Sequence, residues 1–214
     1  MILIKLKNAG KKIEIFMWAF IAGMLLFLTV AAYSDRVQGE IAASVIRLHV
    51  LANSDGLEDQ ELKKLVRDAV LQSLEGSFTG YETIEESRGI LESRLECIEN
   101  LAADLTGQPV KAQLTQSFFP TLVYKNAALP AGIYETLHVS IGEASGRNWW
   151  CIVFPPLCLV DVVSGQFATA GAVVDLGGLM SAEAYTLVSQ RETVRIRFKA
   201  VEAWQRLRNF FGGP

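Results

Sequence analysis

The chain has 214 residues, half of them hydrophobic, with 20 basic side chains against 23 acidic ones. Four of the basic residues (Lys5, Lys7, Lys11 and Lys12) crowd into the first twelve positions, and setting aside residues 1–32 leaves 16 basic against 22 acidic, a balance of −6. That balance speaks against a nucleic-acid ligand, because no basic stripe remains to neutralise phosphates.

The lysines precede an uncharged run of eighteen residues, Ile15 to Ala32. As a helix such a run spans roughly 27 Å at about 1.5 Å per residue, close to a hydrocarbon core of about 30 Å. It closes on the small residues Val30-Ala31-Ala32. This is the pattern of a secretory signal peptide cut after Ala32 or, since the block is long for that purpose, of an uncleaved signal-anchor. Both alternatives place residues 33–214 outside the cytoplasm by the positive-inside rule, where disulfides persist. The chain is therefore expected to hold a membrane-contacting segment over 1–32 and one extracytoplasmic domain over 33–214, large enough for a single core.

Ile41 to Ala52 mixes β-branched and aliphatic residues, and Val45-Ile46-Arg47-Leu48-His49-Val50 alternates as a strand does. Asn53-Ser54-Asp55-Gly56 then forms a turn, with Asp55 and Glu58 at capping-box spacing. In the helix that follows, Leu62, Leu65, Val66, Ala69, Val70 and Leu74 share one face. Asp59–Lys63 and Lys64–Asp68 are spaced as i,i+4 ion pairs. A break at Gly76–Gly80 leads to a second helix from about Thr83 to Leu105, with Ile84, Leu91, Leu95, Ile98, Ala102 and Leu105 as its apolar positions. Gly107 and Pro109 stop it. The pair over 57–105 reads as an αα-hairpin, with Cys97 as a buried free thiol.

Beyond Pro109 the pattern turns to strands. Val110–Leu114 and Tyr134–Ile141 alternate, Leu129-Pro130-Ala131-Gly132 is a turn, and Gly142, Gly146 and Asn148 mark a loop. Asn148-Trp149-Trp150-Cys151-Ile152-Val153-Phe154-Pro155-Pro156-Leu157-Cys158 holds two of the four tryptophans and two of the three cysteines. A hairpin closing between Phe154 and Pro155 sets Cys151 opposite Cys158, within reach of a cross-strand disulfide. The segment either carries that bridge or presents two free thiols, and an exported compartment favours the bridge. Phe167–Gly178 has no clear period; Thr193–Phe198 alternates and Ala200–Leu207 reads as a terminal amphipathic helix. The expected fold is α+β: an antiparallel sheet from the β-rich stretch 110–163, covered by the helix pair and completed by a strand and helix over 193–208.

The common enzyme motifs fail to appear: no His-Glu-x-x-His, no Gly-x-Ser-x-Gly and no Gly-x-x-x-x-Gly-Lys. His49 and His138, the two histidines, fall in strands, where structural roles outnumber catalytic ones. The competing enzymatic reading is an extracytoplasmic hydrolase that uses Cys151 with one of them. No metal and no cofactor are expected. The polar Asn53-Ser54-Asp55 turn and the Asn148-Trp149-Trp150 entry to the last strand are the candidate contact residues, because both stand in turns, where binding residues concentrate. Trp149 and Trp150 are expected on opposite faces, one in the core and the other either an exposed anchor or buried as well.

Taken in series, these residues resemble the stage II sporulation protein R family of endospore-forming bacteria. The likeness runs through Ile46-Arg47, Val50–Asp55, Asp59-Gln60, Val66-Arg67-Asp68, Phe119-Pro120-Thr121, Tyr124 and Leu129–Glu135. It is strongest at Ile141-Gly142, Gly146 and Asn148 to Cys158, and returns at Val194–Lys199 and Glu202. His138 stands where an arginine is expected and Ala203 where an aromatic is common, while 165–190 matches nothing in the pattern. The resemblance implies a non-enzymatic signal secreted into the space between forespore and mother cell. Its implied partner is a membrane-embedded aspartic protease of the mother cell, which then processes the sigma-E precursor.

Overall fold

The computed structural model describes residues 2–78, 83–123, 128–155 and 180–189. The chain divides into two units, Met1–Val37 and Gln38–Pro214. Helix α1, Ile2–Ala43, makes up the first and enters the second. Within it, Ile13–Ala43 is long and apolar enough to cross a membrane by length and composition, and its apolar side chains from Ile13 to Val30 are exposed.

In the second unit, β1 (Ile46–Leu51) is followed by α2 (Leu57–Leu74), α3 (Ile84–Thr106), β2 (Val110–Phe119), β3 (Leu122–Val123), β4 (Ala128–Leu129), β5 (Gly132–Ile141), β6 (Asn148–Phe154) and α4 (Ala182–Ser189). The fold is α+β, with a four-stranded sheet in the order β2-β5-β1-β6 and a two-stranded ribbon of β3 and β4. The expected antiparallel sheet is corrected at one point. β1, the first strand in the chain, inserts between β5 and β6, parallel to β5 and antiparallel to β6. Alternation along a strand reports which side chains share a face and says nothing about which strands lie beside it.

One face of the sheet presents Leu48 and Val50, Ala112, Leu137, Val139, Ile141, Cys151 and Val153. Helices α2 and α3 cover it with Val66, Val70, Leu71 and Leu74 and with Leu91, Ile98 and Ala102. Burying each such aliphatic side chain contributes about 1.5–3 kcal/mol, so this layer dominates the stability of the unit. Arg88 on α3 donates two hydrogen bonds to the Glu135 carboxylate on β5, at 2.6 and 2.9 Å, and ties the helix to the sheet.

Several local expectations change. Strand character begins at Ile46, and Ile41–Ala43 finish α1. Gly56, not Asp55, is the N-cap of α2, and no side chain caps it. At α3, Thr83 and Glu86 form a capping box and Gly107 closes the helix at φ 64°. Leu65 is exposed and Leu71 buried, because the buried arc runs through Val66, Val70 and Leu74 at four-residue steps. Neither expected i,i+4 pair forms: Lys64 pairs with Glu61 at 2.7 Å, Asp68 takes Arg67, and Asp59 and Lys63 serve other partners. Cys97 is a free thiol but exposed, not buried, on the outer side of α3. Residues 79–82, through which an αα-hairpin would turn, lie outside the described residues, as do Cys158 and the expected elements over 193–208.

Candidate partner-contact site

Because β5 and β6 flank β1, residues 142–147 must cross the end of β1, a span of two strand spacings, roughly 9–10 Å. They cross where the chain leaves β1, and the two segments are stitched together there. The amide of Glu143 donates to Asn53 Oδ1 (2.9 Å), that of Ser145 to the Asn53 carbonyl (3.1 Å), that of Gly146 to the Ala52 carbonyl (2.9 Å) and that of Arg147 to Asp55 Oδ1 (2.8 Å). The Ser145 hydroxyl adds a second bond to the Asn53 carbonyl at 2.6 Å. The approach is so close that two glycines are required. Gly142 sits at φ 55°, and a Cβ on Gly146 would overlap the Ser54 carbonyl oxygen.

The first turns of α2 grip this crossing from below. Asp59 Oδ2 accepts from Asn53 Nδ2 (2.9 Å) and from the Ser54 hydroxyl (2.5 Å), and its Oδ1 accepts from Gln108 Nε2 (3.1 Å). These donors, Ser54 foremost, hold the Asp59 carboxyl below the usual carboxylate range. Gln60 donates to the Ser54 carbonyl at 2.8 Å, and Lys63 donates to Gln60 Oε1 (2.7 Å) and to the Arg147 carbonyl (2.9 Å). Burial, and then the nearby Arg147 cation, push the Lys63 ammonium below its ordinary value. The outward rim is charged: Asp55 and Arg147 form an ion pair at 3.4 Å with about two thirds of each side chain exposed.

From this crossing β6 runs back along β1, and its tryptophans diverge as expected. Trp149 faces the helices, packs on the apolar layer and lies under the Arg67 guanidinium at 4.3 Å. Trp150 lies on the opposite face, where its ring stacks on His49 at 4.0 Å and meets Phe119 at 4.5 Å. His49 Nε2 donates to Asn148 Oδ1 at 2.7 Å, which leaves the proton on that nitrogen in the neutral ring. Burial lowers the His49 pKa to about 4, and the His138 ring, 4.7 Å away, is lowered by burial too. Arg47, fully buried, places its guanidinium over Phe119 (4.0 Å) and Tyr134 (4.7 Å).

The candidate residues Asn53, Ser54, Asp55, Asn148, Trp149 and Trp150 thus come from two stretches that meet at one end of the sheet. Cys151 does not join the histidines. It pairs with Leu48 and faces the helices, whereas His49 and His138 face the other way, so the sheet separates the Cys151 sulfur from both imidazoles. The sequence reading missed the roles of Asp59, Gln60, Lys63, Gln108 and the two loop glycines. The available signal was the clustering of small and polar residues over 142–147 between two strands, which marks a crossing that something must hold. Among the described residues no group of three or more His, Cys, Asp or Glu side chains is arranged to hold a metal.

The model of the family described as Stage II sporulation protein R matches residues 42–164, which contain all of β1 to β6. The chain belongs to the stage II sporulation protein R family. It is 33% identical over 160 residues to Stage II sporulation protein R of Bacillus subtilis (strain 168), with 71% of each chain covered. No solved structure matches it. Every residue of the stitched crossing, from Ala52 to Arg147, lies inside the segment matched by the family model.

Proposed function

We propose that this sporulation protein is an exported signal that acts by binding. The domain that follows the apolar helix works in the space between forespore and mother cell. There it activates a membrane-embedded aspartic protease of the mother cell to process the sigma-E precursor. The observation that carries this reading is the family match over 42–164, joined to the Lys-led apolar helix. That helix serves as signal or anchor, and its charge asymmetry sets the domain outside the cytoplasm. The contact surface is the crossing and its flank: Asn53, Ser54, Asp55, Asn148, Trp149 and Trp150. The surface acts through position and charge, with no bond made or broken by this chain.

Co-producing the full chain with the protease and the sigma precursor in a non-sporulating bacterium tests the reading. Cleaved sigma factor is expected only when all three are present, and no cleavage with all three present would overturn it. Export is tested separately, by adding a protease to intact protoplasts, which should digest a tethered domain. In the exported domain Cys151 and Cys158 form a disulfide and Cys97 stays reduced. Thiol titration under denaturing conditions should then find one free thiol, and three would refute the bridge.

A further inference from the structure

Asn53 and Ser54 belong to the proposed contact surface, yet their side chains turn inward. Both donate to one oxygen of Asp59, and the other oxygen takes Gln108 from the α3–β2 connection. A group receiving three donors in this way acts as an acceptor only, the state of an ionised carboxylate. By taking the Nδ2 end of the Asn53 amide, Asp59 leaves the Oδ1 end aimed at the Glu143 amide. It therefore orders the 142–147 loop without touching it. Its neighbour Glu58, equally placed to favour the positive start of the helix, is exposed, so helix-end charge does not explain the inward fix of Asp59. We infer that Asp59 is the positioning residue of the contact surface: it locks the Asn53–Asp55 turn, which in turn sets the crossing loop and its Arg147 and Asn148 rim in the shape a partner reads.

This inference rests on the proposed contact surface, and the test separates the two. Full-length protein in detergent is followed by amide exchange at Glu143, Ser145, Gly146 and Arg147, and by titration of reconstituted protease in lipid vesicles. Asp59→Ala should speed exchange at those four amides about tenfold or more, as loss of charge-assisted hydrogen bonds implies, with Leu137 and Val139 unchanged. The amount needed for half-maximal sigma cleavage should rise in step while the maximal extent stays the same. Asp59→Asn, which keeps one acceptor oxygen, should recover part of both effects. Unchanged exchange at the four amides, or equal acceleration across the whole sheet, would overturn the inference. Should Asp59→Ala fail to fold, Gln108→Ala removes a single donor and is read the same way, no local change again being fatal. If the unaltered chain triggers no cleavage, the contact reading fails and the inference falls with it; if it triggers cleavage while only the variants behave as wild type, the positioning role alone is lost.

Discussion

The two faces of the sheet solve burial in different ways. The helix-covered face is aliphatic, from Leu48 and Val50 through Leu137 and Val139 to Val153. The opposite face buries Arg47, His49 and Thr136, wrapped by Phe119, Tyr134 and Trp150. Apolar contact has no direction, so the first face depends on volume alone. The second depends on rings and donors being in particular places, and on His49 being uncharged. Stability should therefore respond to packing defects on one side and to protons on the other.

The largest effect should come from the aliphatic side. Leu48, fully buried, should cost about 2–5 kcal/mol when replaced by Ala, measured by denaturant unfolding. The loss should be independent of pH. On the polar side the His49 pKa falls from 6.5 to about 4 in the folded protein. Above pH 6.5 both folded and unfolded forms hold a neutral ring, and this side is fully stable. As pH falls from 6.5 towards 4 the unfolded chain takes up a proton that the folded one refuses, and about 3 kcal/mol is lost. His138, lowered in the same direction, adds to the loss. His49→Gln should flatten this slope; an unchanged slope would place its origin elsewhere.

A subtler experiment uses the tryptophans. Trp150→Ala opens His49 to water and should raise its pKa towards the ordinary value, read by NMR titration of the imidazole. Trp149→Ala, on the far face, should leave that titration alone and instead lower the melting temperature. The smallest effect should come from the rim of the helix-covered face. Breaking the half-exposed Arg88–Glu135 pair by a double-mutant cycle should reveal about 0.2–1 kcal/mol of coupling.

The extents of α2 and α3 were the most legible part of the chain, whereas α4 was not foreseen. Gly107 stops α3 where its sequence says it should, since a left-handed cap needs only the local residue type. The divergence of Trp149 and Trp150 was also legible, because it follows from a period of two. The place of β1 was not, as strand order is decided by partners that lie far along the chain. Asp59 was misread for a related reason. Local rules offered it Lys63 at four residues' distance, but Asn53, Ser54 and Gln108 supplied three donors to a single carboxylate and outweighed one i,i+4 ion pair. Leu65 was misassigned because an apolar arc read from spacing is wider than the strip a sheet covers. The candidate residues could be named from the sequence, but the meeting of their two stretches at one end of the sheet could not.

The insertion of β1 also sets an order of assembly. The strand is made early, well before both of its neighbours, Gly132–Ile141 and Asn148–Phe154. Until they are made, Ile46–Leu51 has neither ladder, and its two rows of amides and carbonyls are open to any passing strand. The sheet can close only once Phe154 has been made, so the domain folds late, through contacts distant in sequence. A domain with such a central strand cannot assemble this sheet from its leading half alone.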